Sequence, residues 1–162
     1  MATAAEGARI NLSPKGYDSF RVLGPNRVAW LDLGGSGNET QAHLNADGRI
    51  TIMFCAFDNP ALILRIYGRG APVHPEDEGF AALAALFPRL PGVRQVFDIA
   101  VESVQTSCGW GVPHMKLDRE RPTLAKYHAQ QDPAKRLAKI ASRTHSIDGL
   151  PVRVQTSIPD WD

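Results

Sequence analysis

Apolar and polar positions change period several times along the chain, and the changes mark its elements. Arg9-Ile-Asn-Leu-Ser13 alternates as a half-buried strand does, and the turn-like Ala5-Glu-Gly-Ala8 before it places the start of the chain inside a hairpin. Pro14-Lys-Gly16 ends that strand, because proline gives up a ladder donor and glycine opens the turn. After a second turn at Gly24-Pro-Asn26, a strand is predicted from Arg27 to Leu33. A short helix follows over Asn38 to Asn45, with Ala42 and His43 or Leu44 turned inward and Ala46-Asp-Gly48 closing it. Ile50 to Phe57 is nearly all apolar, as suits a strand covered on both faces. Asp58-Asn-Pro60 then turns the chain into Ala61 to Gly70, which predicts an antiparallel neighbour. Pro72 to Glu78 is a polar connector. Phe80, Leu83, Ala84 and Phe87 recur at helical spacing as far as Pro88, and Val93 to Thr106 predicts a long, β-branched strand.

The final third changes character. Pro122 to Gln131 and Pro133 to Ser142 predict two helices with proline in the first turn, Asp132 being placed to cap the second. Leu124, Tyr127 and His128 form one stripe, and Leu137, Ile140 and Ala141 another. The tail from Ser146 to Asp162 has no periodicity, so its order is expected to come only from packing on a partner. About six strands at short spacing, with helices gathered late, predict a mainly β domain: an antiparallel barrel with added helices.

Composition narrows the function classes. A chain of 162 residues, 43% apolar and 22% charged, suits one soluble domain. A formal net charge of +1 argues against nucleic acid, whose binding rests on many cations neutralising phosphates. No apolar run approaches the roughly 20 residues needed to span a bilayer, and the start lacks the regions of a secretory signal, so a cytoplasmic protein is expected. Cys55 and Cys108 suit neither a disulfide framework nor a zinc site; Cys55 is read as a core thiol and Cys108 as a loop residue. The five histidines show no ligand spacing, and no metal is predicted.

Four features could carry chemistry. The turn Gly34-Gly-Ser-Gly-Asn38 can point backbone N–H groups at an anion ahead of a helix start, or it can be a plain strand-to-helix connection. Arg65 interrupts an apolar strand, so it either pairs with a carboxylate such as Asp32 or faces a ligand. Lys15 and Arg9 flank the Ile10 to Ser13 strand and could neutralise a dianion. Trp110, between two glycines, could stack on a flat ligand or pack over a barrel end.

Taken in order, Asn11-Leu-Ser-Pro-Lys-Gly16, Arg27-Val-Ala-Trp-Leu-Asp-Leu33, Gly35-Ser-Gly-Asn-Glu-Thr40, Arg49-Ile-Thr-Ile-Met-Phe-Cys-Ala-Phe57 and Leu64-Arg-Ile-Tyr-Gly68 resemble the pyridoxamine 5'-phosphate oxidase-like flavoproteins. The resemblance covers roughly residues 1–113, and Ser146-Ile-Asp-Gly-Leu-Pro151 resembles one branch of that superfamily. It implies an FMN-binding split barrel over 1–118, shortened at its N-terminus, with the C-terminal helices and tail of 119–162 packed on the same domain. It also implies a homodimer with flavin sites at the interface. The cofactor-binding residues carried over are Asn11, Leu12, Ser13, Lys15, Ser36, Gly37, Asn38, Thr40, Arg65 and Trp110. True oxidases carry a Ser-Arg-Lys run at the phosphate turn, where this chain has Asn38-Glu-Thr40, and their C-terminal substrate motif is missing. A flavin-dependent oxidoreductase acting on a small molecule other than pyridoxamine phosphate is therefore expected, with no catalytic side chain named. The alternatives are a non-catalytic flavin or haem binder and a deazaflavin-dependent reductase.

Overall fold

A computed structural model describes residues 1–159; the last positions of the predicted tail, 160–162, lie outside the described residues. The strands are β1 (Ala2–Thr3), β2 (Asn11–Leu12), β3 (Phe20–Gly24), β4 (Arg27–Leu33), β5 (Arg49–Cys55), β6 (Leu62–Val73) and β7 (Val93–Cys108). The helices are α1 (Glu39–Ala46), α2 (Phe80–Ala84), α3 (Thr123–Ala129) and α4 (Pro133–Ala141). All strand pairs are antiparallel, in the order β2-β1-β5-β6-β7-β4-β3. β3 and β5 are four places apart in that order, yet the Phe20 and Phe54 rings lie 5.2 Å apart. The sheet is therefore rolled into a split barrel, as expected.

Alternation along β4 explains how both faces are used. Val28 and Trp30 point into the barrel with Ile50, Ile52, Ile66, Phe97 and Ile99, while α1 closes one end with Leu44. Ala29 and Leu31 point outward to Phe80, Ala84 and Phe87 of the α2 region. Gly68 sits at a register shift between β6 and β7, and a side-chain carbon there would collide with the Ala100 carbonyl. The two strands approach this closely only because residue 68 is glycine.

Three expectations change. β3 was absent from the predicted elements, because Phe20-Arg-Val-Leu-Gly24 is short and its polarity is broken by Arg21, which reaches out to Asp18 and to the Leu86 carbonyl. α2 is one turn shorter than its apolar spacing implied: the N–H groups of Leu86 and Phe87 bond to Leu83 and Ala84, tightening the end before Pro88. Cys55 is half-buried and belongs to neither core cluster, so it is not a core thiol.

The tail also departs from the prediction, since residues 142–159 pack on the chain itself. Ser146, Val152 and Gln155 are buried, and His145 bridges to Pro151. Glu76 accepts the backbone N–H groups of Thr156 and Ser157, and Arg153 pairs with Asp77 at 2.7 Å. Burial pushes the Glu76 carboxyl up, but its own backbone N–H, then those of Thr156 and Ser157 and the Thr156 hydroxyl, hold it down at about 2. Contacts made through backbone groups leave no side-chain period to read.

Candidate functional site

Polar side chains collect where α1 meets the ends of β4 and β7. The register of β4 against β7 shifts between Asp32, opposite Gln95, and Leu33, opposite Val93, so Arg94 is the extra residue of a β-bulge. The bulge re-aims Arg94. Its guanidinium donates to Asp32 Oδ2 at 2.7 and 2.9 Å and to the Gly37 carbonyl at 2.9 Å. Lys15 approaches the other oxygen of Asp32 at 3.4 Å, and Gln95 donates to the same carboxylate at 2.9 Å. Burial alone would raise the Asp32 carboxyl; Arg94, Lys15 and Gln95 outweigh it and hold Asp32 below the ordinary carboxylate range.

From Gln95 the network continues into α1. Gln95 donates to Asn38 Oδ1 at 3.1 Å, so Asn38 holds the sheet and makes no side-chain cap at the helix start. Gln41 donates to Gln95 at 2.7 Å and lies 3.0 Å from His74 Nε2. On the far side of the helix, Asn11 donates to Thr3 and Thr40, each at 3.1 Å, and Thr3 meets His43 Nδ1 at 3.1 Å. These bonds fix β2 against α1.

The network predicts a pH response. Burial, with Arg153 adding repulsion, lowers the His74 pKa below its ordinary 6.5. The unfolded chain therefore takes up this proton first as pH falls. Stability from neutral His74 is complete above pH 6.5 and is lost as pH drops through the folded-state value. Urea midpoints measured from about pH 7.5 to pH 5 should fall more steeply for the wild type than for His74→Asn.

The glycine turn is held by the C-terminal helices. Gly34 N–H donates to the Gly92 carbonyl at 2.8 Å, and the carbonyls of Gly34, Gly35 and Gly37 face His128 (2.6 Å), Arg143 (2.5 Å) and Arg94 (2.9 Å). Gly92 has φ +88°, and its missing side chain leaves the notch that the His128 ring fills. Between the turn and α4 lies a cavity of about 30 Å³ lined by Arg94, Tyr127, Lys139 and Arg143 among others. A larger hollow of about 560 Å³ separates Lys15 from α3.

Of the predicted cofactor residues, the fold brings Asn11, Lys15, Asn38 and Thr40 into this one polar end, with Ser36 and Gly37 exposed beside them. Leu12 and Ser13 continue from Asn11, and Ile10 and Leu12 are both 77% exposed, forming an apolar ledge on the edge strand. Arg65 and Trp110 lie elsewhere. Arg65 donates to Ser107 Oγ at 2.9 Å on the neighbouring strand, and Trp110 is 87% exposed just beyond β7. The pairing of Arg65 with Asp32 does not occur, because Arg94 and Lys15 already hold that carboxylate. Arg94, Gln95 and Gln41 were missed; polar residues inside otherwise buried runs were the available signal. His128, Lys139 and Arg143 gave none beyond ordinary helix-surface polarity. Among the described residues no His, Cys, Asp and Glu cluster could hold a metal, and no helix is long and apolar enough to cross a membrane.

No protein-family model matches the chain. It is 37% identical over 163 residues to the pyridoxamine 5'-phosphate oxidase family protein ustO of Aspergillus flavus, an alignment covering 90% of this chain and 66% of that protein. Its fold is similar to two crystal structures of HupZ from Group A Streptococcus. One, a histidine-to-alanine variant, matches with TM-score 0.53 and 22% identity over 65% of this chain and 86% of that one. The other matches with TM-score 0.51 and 21% identity over 71% and 86%.

Proposed function

The chain belongs to the pyridoxamine 5'-phosphate oxidase family, and from that premise we propose that it binds FMN between two copies of itself and acts as a flavin-dependent oxidoreductase on a small molecule. The observation that carries this reading is the convergence of Asn11, Lys15, Asn38 and Thr40 on one end of the barrel, beside an exposed apolar edge. The residues fit the group in kind: Lys15, Ser36, Gly37, Asn38 and Thr40 would hold its phosphate end, and Asn11, Leu12 and Ser13 would lie along its ring. Bound flavin would supply the redox chemistry. The chain's own part is to fix those residues through the buried network and to keep water from the ring with the Ile10 and Leu12 ledge. Arg65 and Trp110 stand apart from this group within one chain, which supports a site completed by the second copy.

The decisive experiment is anaerobic addition of NADH or NADPH to protein loaded with FMN. Bleaching of the flavin band, with recovery in air, is the expected result. Flavin that no reductant in a panel reduces would sink the enzyme reading, and a Soret band on protein purified from haem-replete cells would favour haem. Arg65→Ala is expected to weaken FMN binding, followed by fluorescence quenching, while sedimentation still reports a folded dimer. Loss of the fold with unchanged flavin affinity in the remaining folded fraction would make Arg65 a structural residue.

A further inference from the structure

We propose that the cavity between the glycine turn and α4 is a binding site for a phosphate monoester dianion, with Lys139 and Arg143 of the C-terminal region as its cations. This goes beyond the flavin reading, because it holds for any ligand that presents a phosphate there.

Charge is the first argument. Arg94, Arg136, Lys139 and Arg143 line the cavity, and among the described residues no carboxylate does. Arg94 is neutralised by Asp32, which Lys15 also shares. Lys139 and Arg143 meet only neutral acceptors among the described residues: the Tyr127 hydroxyl at 2.7 Å and the Gly35 carbonyl at 2.5 Å. Cations drawn together without an anion repel each other, and a doubly charged ligand would reverse the sign of that energy.

Donor geometry is the second. Lys139 and Arg143 each keep N–H groups beyond the bonds described. Tyr127 accepts from Lys139 and still has its own proton to donate, and Lys139 also lies 5.3 Å from the centre of that ring. The bond from Lys139 lowers the Tyr127 pKa, with burial opposing it and Arg143 adding to it, as a local positive field should. Size is the third. A cavity of about 30 Å³ holds two or three water positions, which suits a tetrahedral phosphate head and excludes a nucleoside body. The exposed Ser36 and Gly37 leave the turn side open for the rest of an ester to extend outward.

The test titrates wild type and a Lys139→Ala, Arg143→Ala double variant with inorganic phosphate, FMN and riboflavin by calorimetry, with sulfate and chloride as competitors. Wild type is expected to bind phosphate saturably, and the double variant at least about tenfold more weakly, since two charge-assisted contacts are lost. An equal loss for FMN with riboflavin unchanged assigns the ester to the flavin; FMN unaffected while phosphate is lost assigns it to another phosphorylated ligand. Both support the site. If wild type binds FMN but no phosphate at this cavity, or the double variant binds phosphate as tightly as wild type, the site is wrong while the flavin reading stands. If wild type binds phosphate but not FMN, the flavin reading fails and the site stands. Should the double variant fold poorly, the charge-keeping Lys139→Arg with Arg143→Lys must bind and Lys139→Gln with Arg143→Gln must not.

Discussion

Asp32→Ala is expected to cost the protein about 3–5 kcal/mol of stability, because it leaves the buried Arg94 guanidinium without its counter-charge. The side chains of Arg94 and Asp32 are only 7% and 1% exposed, so water cannot replace the lost partner. Urea unfolding would show a midpoint shift at near-constant slope. Lys15→Met should cost far less, since Lys15 sits at 3.4 Å with 20% of its side chain exposed. Removing both charges together, as Asp32→Leu with Arg94→Met, should recover most of the loss, because a buried pair is worth little over apolar residues that fill its place. A double variant as unstable as Asp32→Ala would show that Asp32 acts through Gln95 and the bulge instead.

Gly92→Ala is expected to detach α3 and α4 from the glycine turn. The φ of +88° costs an L-residue about 1–2 kcal/mol, and the new methyl group would meet the His128 ring as well. His128 could then no longer reach the Gly34 carbonyl, and the helices that bring Lys139 and Arg143 to the turn would lose their anchor. Limited trypsin digestion should cut the variant early at Lys126, Lys135 or Lys139, with the barrel core surviving. Adding His128→Ala relieves the collision but removes the anchoring bond itself, so it should not restore protection. Protection equal to wild type in Gly92→Ala would mean that the notch does not hold the helices.

Much of this fold was legible because its strands are apolar enough to announce themselves. Ile50 to Phe57 and Leu62 to Tyr67 carry apolar runs that mark strands, although Met53, Phe57 and Leu62 stay exposed and β5 is not covered on both faces as expected. Asp132 before Pro133 marks a helix start whose cap bond to Lys135 N–H is present at 2.8 Å. β3 was not legible because it is a short hairpin strand interrupted by Arg21, and the packing of the tail was not because backbone and carboxylate contacts with a distant segment fix it. The site divides in the same way. Lys15, Asn38 and Thr40 stood out through the ordered motifs. The roles of Asp32, Arg94 and Gln95 depend on a one-residue bulge that slips the register, and no local pattern encodes such a slip. The glycine turn was read through its N–H groups, whereas its carbonyls turned out to face the cations. What surrounds the turn comes from far along the chain, from Arg94 on Gly37 at a separation of 57 to Arg143 on Gly35 at a separation of 108.

A flavin site that two copies of the chain build together is open to FMN titration followed by fluorescence quenching and sedimentation in the same samples. About one FMN bound per chain is expected, with the protein sedimenting as a dimer, and a loss of quenching when dilution yields monomer. Saturating quenching by the monomer alone, or flavin that stays fully fluorescent in the presence of dimer, would contradict it.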